Sequence, residues 1–546
     1  MAEYNILMGG RAGQGSRRAG LTIANLLNHL GYSIFIYDDY QSLVRGGHSF
    51  SRIRASEKEI KTQGEKLDIL LCLDEETFLK HKGELKKEGI VIYNKDKISN
   101  GKGIGIPIET IAKELGGKPI MANTALVSAF AKAAGIDLKD LEAVLKKEFK
   151  KAQSVNLKIA KKAYLENEKK IEIKKIKRKT TPLFTGNEAL SLGASKAGLE
   201  MYYAYPMTPA TSVLHFLAEK DLGVQTVQLE NEISVIMAAL GSAYSGKRTM
   251  VGTSGGGFAL MSEAISFSAM AEIPVVIMES QRAGPATGVP TYSGQADLNF
   301  VLNAGHGDIV KFTVAPGDID ECFYWGGKLL NLSWKYQTPS VLLLDKELSE
   351  STGNLKLDPS LKKEEALLWN KKGEYLRYKD TKNGISPLAF PGGKALVRAT
   401  SYEHNEYGFT VEDEASVFKM QEKRLRKFEA MQKEVDKIKG AVKVFGNKKS
   451  DIALIAWGSS KGAVVEAAEN MGLKALQIIV LEPFPLKQVL KELEGVKRMI
   501  VVEQNALGQL DRLLLENGIE ADEVILKYDS RPILRSELEE KLRKIL

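Results

Sequence analysis

A carboxylate that closes an apolar strand has the clearest capacity for proton chemistry in this chain. Glu230 follows the run VQTVQL, and an apolar, alanine-rich helix is predicted at once, over 233–245. At that place the carboxylate is expected to be partly buried, which is costly for a group without a task. Glu232 lies at the helix start, where an acid commonly does no more than offset the helix dipole. Further segments carry polar groups or glycines between apolar runs. Tyr205-Pro206-Met207-Thr208-Pro209-Ala210-Thr211-Ser212 sets two prolines and three hydroxyls ahead of a helix, and Thr208 or Thr211 could simply cap it. Thr253-Ser254-Gly255-Gly256-Gly257-Phe258 puts three glycines after a buried strand, where parallel sheets bind ligands. Arg282 opens the small-residue loop AGPATGVPT, which ends at Thr291, and is poised for a two-point grip on a carboxylate. Near the start, Gly10, Gly13 and Gly15 space as G-x-x-G-x-G between a strand and a helix. That arrangement suits a tight turn and a phosphate contact alike. Arg45, Gly46, Gly47 and His48 form a second glycine corner, and Asp38 and Asp39 follow the second strand.

These groups must be positioned by α/β elements. Strands are predicted at 4–8, 32–38, 67–73 and 89–94, with a helix at 17–30. Alternation at this spacing predicts a parallel sheet covered by helices. A first α/β segment is expected over 1–168, followed by a solvated basic linker over 169–182, KKIEIKKIKRKTTP. A second α/β segment spans 183–355, with buried strands TMVGTS, PVVIME and SVLLLD. An irregular connection over 356–448 includes a long charged helix at 414–440, expected on a surface or between domains. A third α/β segment covers 449–546, with strands at 451–459, 475–484 and 498–505.

Composition excludes several classes. A length of 546 residues gives a prior of roughly three to four domains. The net charge of +8 is too dilute for a nucleic-acid partner, and the basic linker lacks interleaved aromatics. No run of about 18 apolar residues occurs, so no membrane span is expected. The opening MAEYNILMGG has no signal-peptide pattern, and two cysteines suit a reducing cytoplasm. Two cysteines cannot hold an iron–sulfur cluster, which takes four thiolates, and the six histidines show no metal-site spacing.

Taken together and in order, the motifs resemble the 2-oxoacid:ferredoxin oxidoreductase family, specifically the large subunit in which gamma and alpha parts are fused. YPMTPATS stands for the family's Y-P-I-T-P-S-T, QLENE for Q-x-E-x-E, TSGGGFALM for T-S-G-P-G-F-S-L-M, and RAGPATGVPT for R-G-G-P-S-T-G-x-P-T. YKDTKNGISPLAFPG and HNEYG resemble the connection after the alpha part's first domain, and GGRAGQG with RGGHSFSRIR resembles the gamma part. Departures are Met207 for Ile, Gly256 for Pro, and TYSGQADL for TKTEQADL, which puts Tyr292 and Gly294 in place of a Lys and a Glu.

The resemblance implies three α/β domains: gamma, thiamine-pyrimidine-type and transketolase C-terminal-like. It implies thiamine diphosphate chemistry on a 2-oxoacid, with coenzyme A taking the acyl group and ferredoxin the electrons. Glu230 would face the pyrimidine N1′. Tyr205, Pro206, Thr253, Ser254, Gly255, Gly257 and Phe258 would line the cofactor. Thr208, Arg282 and Thr291 would grip the oxoacid, and Gly13, Gly15 and Arg45 would contact coenzyme A. Mg2+ and a 4Fe–4S cluster would belong to a beta subunit, since no Gly-Asp-Gly occurs here; Gly307-Asp308-Ile309 comes nearest. Pyruvate, 2-oxoglutarate and broad specificity stay open, and the fused layout leans to the latter two. The rival classes are a nicotinamide-dependent dehydrogenase, which the glycine order disfavours, and a non-catalytic scaffold of an electron-transfer complex, which has no use for Glu230, Arg282 and Thr208.

Overall fold

The computed structural model describes residues 2–43, 46–99 and 101–546. The chain forms two compact units. The first runs to Phe184 and takes in Glu350–Leu355; the second holds Thr185–Ser349 and Lys356–Leu546.

The first unit is built on an eight-stranded sheet. Glu3–Arg11 lies near its centre, parallel to Leu67–Cys72 through Ile6↔Ile69. On its other side His48–Ser56 runs antiparallel, with Ile6↔Ile53, and pairs in turn with Ser33–Tyr40. The sheet is therefore mixed rather than parallel. The period-2 text HSFSRIRAS makes a strand out of what the sequence marked only as a glycine corner. Alternation sorts the side chains. Ile6, Met8, Ile69 and Leu71 enter the larger core beneath the helices, while Leu7, Leu70 and Cys72 enter a second core on the opposite face. The stretch expected as a solvated linker is strapped down instead. Ile173 is buried, Ile176 N–H donates to Leu30 O, and the Tyr32 hydroxyl donates to Lys174 O. Its isoleucines alternate with the lysines, so one edge packs while the other stays wet.

The second unit holds two sheets. The seven-stranded one runs Gln225–Gln228, Met201–Ala204, Thr249–Thr253, Val275–Gln281, Pro339–Asp345, Phe312–Val314 and Val480–Glu482. All neighbours are parallel except the last pair. Its central strands are buried end to end, as expected of strands covered on both faces. The five-stranded sheet takes in Ile452–Ala456, Lys474–Ile478 and Arg498–Glu503. The single strand expected over 475–484 is thus two strands in two sheets, since Val480–Glu482 crosses to the edge of the larger one.

The long helix spans Glu414–Val435 and is capped by Asp413, whose side chain accepts from Ser416 N–H. It is not merely a surface helix. Lys423 and Lys427, one turn apart, are buried against Glu272, 2.6 Å and 2.5 Å from its two oxygens. No helix among the described residues is long and apolar enough to cross a membrane.

Candidate functional site

The chemistry-bearing segments of the second unit all leave the C-terminal ends of parallel strands. Residues 205–210 follow Met201–Ala204, 229–231 follow Gln225–Gln228, 254 follows Thr249–Thr253, and 282–297 follow Val275–Gln281. Two of these loops are tied together: Arg282 Nη1 donates to Thr208 O at 3.0 Å. Burial pulls the Arg282 guanidinium below its ordinary value, opposed by the charges of Glu279 and Asp297.

Several buried polar atoms at this edge have no hydrogen-bond partner. They are Ser254 Oγ, Thr291 Oγ1, Glu232 Oε1 and both carboxyl oxygens of Glu279. Ser254 and Glu279 are fully buried, and Glu232 and Thr291 are each 4% exposed. Orphaned buried groups are rare in folded proteins and mark strain, ligand sites or catalysis. Glycine makes the packing around Glu232 possible. A Cβ on Gly257 would lie 2.1 Å from Thr253 Oγ1 and 2.6 Å from Glu232 Oε1. Gly256, where the family pattern has Pro, faces open space. Phe258 is buried and packs edge-on against Phe300 at 5.4 Å between centroids. Tyr205 is exposed at the rim. The loop after Arg282 folds back through an Ala283↔Val289 bridge. Gly288 sits at φ 49°, where a Cβ would strike Ala283 O at 1.8 Å.

Glu230 corrects the sequence-based expectation. It is exposed rather than partly buried, because its strand Gln225–Gln228 is the sheet's edge. Its carboxylate accepts from the Ser234 hydroxyl, and that bond holds it below the usual carboxylate range. Glu232, which the sequence suggested serves only the helix dipole, is the buried one. Sequence reasoning also passed over Glu279 and Asp297. A carboxylate inside the buried run PVVIMES was the available signal for Glu279. Its carboxyl is raised well above the usual range by burial, with Asp297 and Asp345 adding to the rise. Asp297 is pushed up to about 6, chiefly by burial, and Arg282 opposes the rise.

In the first unit, Gly13 and Gly15 take left-handed φ of 92° and 83° before the helix Ser16–His29. That helix has no acid in its first turn, and Arg17 and Arg18 flank its start. Arg45 lies outside the described residues. Asp38 is engaged by Arg17 Nε at 3.0 Å and by the Ser51 hydroxyl, so it is not free to take a ribose. This weighs further against a dinucleotide site.

Comparison with known proteins gives a consistent answer. The family described as "Pyruvate flavodoxin/ferredoxin oxidoreductase, thiamine diP-bdg" matches residues 192–424. "Pyruvate ferredoxin/flavodoxin oxidoreductase" matches residues 5–166. The alpha subunit of 2-oxoacid:ferredoxin oxidoreductase 2 from Aeropyrum pernix is 31% identical over 100% of this chain and 98% of its own length. The alpha subunit of the Saccharolobus solfataricus 2-oxoacid:ferredoxin oxidoreductase is 31% identical over 99% and 97%. Among solved structures, the 2-oxoglutarate:ferredoxin oxidoreductase of Magnetococcus marinus, with 2-oxoglutarate, coenzyme A and succinyl-CoA bound, superposes with a TM-score of 0.90 at 28% identity, covering 100% of this chain and 99% of that one. Matches of this extent, joined to the strand-end site just described, place the chain in the 2-oxoacid:ferredoxin oxidoreductase family as an alpha subunit.

Proposed function

We propose that this chain forms the pyrimidine-facing half of a thiamine diphosphate site, in an enzyme that oxidatively decarboxylates a 2-oxoacid to an acyl-CoA and CO2 and reduces ferredoxin. The other half comes from a beta subunit that carries the diphosphate site, Mg2+ and a 4Fe–4S cluster. The observation that carries this reading is the buried Glu232, with an unpartnered oxygen beside Thr253 and Gly257 at the C-terminal edge of the sheet. A thiamine pyrimidine requires a carboxylate on its N1′, held away from water, where a proton can be shared. Glu232 fits that need, and the exposed Glu230 does not.

When bound, thiamine diphosphate supplies nucleophilic addition to the keto carbon and takes up the electron pair released with CO2. The chain's own residues do the rest. Glu232 holds the proton at N1′. Thr253, Ser254, Gly255 and Gly257 give the ring a wall that backbone can approach closely, with Phe258 packed behind and Tyr205 and Pro206 at the rim. Arg282, braced on Thr208 O, grips the substrate carboxylate together with Thr208 and Thr291. That carboxylate leaves as CO2, so the grip must not outlast the ground state. Gly13 and Gly15, at an acid-free helix start, suit a phosphate of coenzyme A. Ile233, Met237 and Leu260 are exposed apolar residues close in sequence to Glu232 and Gly257, which suits a surface that a beta subunit covers.

The test is Glu232→Gln in the assembled enzyme. Turnover should fall by about three orders of magnitude while the protein folds, assembles and keeps its melting temperature. Near-normal turnover would end the assignment.

A further inference from the structure

The positive charge of this chain is not spread evenly. Residues 139–179 hold fifteen Lys and Arg against six Asp and Glu. That surplus of nine exceeds the net charge of the whole chain, +8, so everything outside these residues is close to neutral. The stretch belongs to the first unit and consists of the helix Leu138–Glu148, the helix Gln153–Leu165 and the strapped segment 169–179. The three pieces converge on one turn. Lys170 N–H and Ile171 N–H both donate to Ala133 O, the Tyr164 hydroxyl donates to Ile136 O, and Lys175 Nζ reaches Asp140 at 2.7 Å. Gln153 Nε2 donates to Lys146 O and joins the start of one helix to the end of the other.

Local pairing uses up the acids and leaves cations over. Asp140 faces His29 and Lys175, Glu142 faces Lys146, Glu148 faces Arg18, and Glu166, Glu168 and Glu172 each face a lysine. Nine lysines of the stretch, among them Lys158, Lys161, Lys174 and Lys177, are exposed and in no ion pair among the described residues. The apolar side of each piece is spent on the core, through Val144, Ile159 and Ile173. No aromatic of the stretch is exposed, so nothing there stacks on a nucleic-acid base. Leu165 is the one large apolar residue exposed in it, too little to hold to a bilayer. What meets water is a broad face of ammonium groups, and its chemistry matches an acidic protein.

We propose that this lysine face of the first unit is the docking surface for ferredoxin. The proposal rests on the reading of ferredoxin as the electron acceptor. A ferredoxin cluster is held by thiolates, so its net charge is negative and grows more so with each electron taken up. An extended face of mobile ammoniums, rather than a pocket, suits a carrier that must arrive and leave in every turnover. Long-range attraction raises the encounter rate without the deep burial that slows release. Coenzyme A is an anion too, but a small ligand is held by groups that converge on it, not by charges spread over two helices and a strap. The face carries no electron itself; it gathers the carrier.

The experiment uses the assembled enzyme with an acidic two-cluster ferredoxin, and with methyl viologen as a small cationic acceptor. Lys158→Glu, Lys161→Glu, Lys174→Glu and Lys177→Glu are combined in one variant, since none of the four has an ion pair to lose. KM for ferredoxin should rise about tenfold or more at low salt, and the fall of kcat/KM with salt shown by the unaltered enzyme should largely disappear. Turnover with methyl viologen and KM for coenzyme A should stay within about twofold, as for other surface changes. An unchanged KM for ferredoxin with an unchanged salt slope would overturn the proposal, and so would a rise in KM for coenzyme A in place of ferredoxin. If viologen turnover falls as well, the same four lysines changed to glutamine decide. A KM for ferredoxin raised about threefold with viologen turnover kept upholds the proposal, and an unchanged KM overturns it. An unaltered enzyme that reduces viologen but no ferredoxin would instead remove the acceptor reading beneath the proposal.

Discussion

The strand Val275–Gln281 has a buried glutamate near each end, and the two are treated in opposite ways. Before its start, Glu272 is wholly buried and each carboxyl oxygen has its own ammonium, from Lys423 and from Lys427. Burial alone would raise that carboxyl; the two lysines overcome it and hold it well below the usual range. Near its C-terminal end, Glu279 is equally buried and has no partner on either oxygen. The fold can therefore satisfy a buried carboxylate beside this strand when it needs a strut. At the other end it leaves Glu279, Glu232, Ser254 and Thr291 unsatisfied together, where the strands' C-terminal ends meet the glycine loops. Full pairing goes with the strut, and these unpaired groups gather at the edge where the site is proposed.

The comparison can be broken most sharply at Glu232. Glu232→Gln should cut kcat by about three orders of magnitude in the assembled enzyme, in line with the loss of a positioned proton carrier. Thermal unfolding should hardly move, because no partner is lost. Glu272→Gln should do the reverse. It strands two buried ammoniums and should cost about 3–5 kcal/mol of stability, read as a fall in denaturant midpoint, with kcat per folded molecule retained. Replacing Glu272, Lys423 and Lys427 together by methionine should cost far less than the single change, since no charge is then left alone. The pH dependence has a definite sign. Glu272 is depressed in the folded state, so its contribution is present above the unfolded carboxylate value of about 4.3 and is lost as pH falls toward the folded one. Acid unfolding should begin below about pH 4, and Glu272→Gln should flatten that limb.

Arg282→Lys comes next in size. An ammonium cannot reproduce a planar two-point grip, so KM for 2-oxoacids should rise about 10- to 100-fold with little change in thiamine diphosphate affinity. Unchanged Michaelis constants would remove Arg282 from the pocket. The smallest effect belongs to Glu230→Gln. The residue is exposed and bonded only locally to Ser234, so kcat should stay within about threefold.

Much of this was legible in the sequence. The strands TMVGTS, PVVIME and SVLLLD are continuous apolar runs, and such runs in a parallel sheet leave little choice of element. The glycine loop and Arg282 follow those strands directly, so their place at the sheet's C-terminal edge came with the strands. What failed was burial at the edge. QTVQ looks like a strand but says nothing of its position in the sheet, and as the outermost strand it leaves Glu230 in solvent. The next helix start turns Glu232 inward instead. The mixed character of the first sheet was hidden because HSFSRIRAS lies behind a glycine corner that draws attention as a loop. Lys423 and Lys427 read as surface charge on a charged helix; only the distant Glu272, 151 residues before Lys423, explains their burial. Asp297 carried no local signal at all.

The account stands or falls on the chain being half of a site. The direct measurement compares thiamine diphosphate binding and 2-oxoacid decarboxylation by the purified chain alone and after a beta chain with a Gly-Asp-Gly motif and cluster cysteines is added. The chain alone should be colourless, bind the cofactor weakly and release no CO2, and the beta chain should bring affinity, chromophore and turnover together. Decarboxylation by the isolated chain, or a cluster carried on it, would contradict the account.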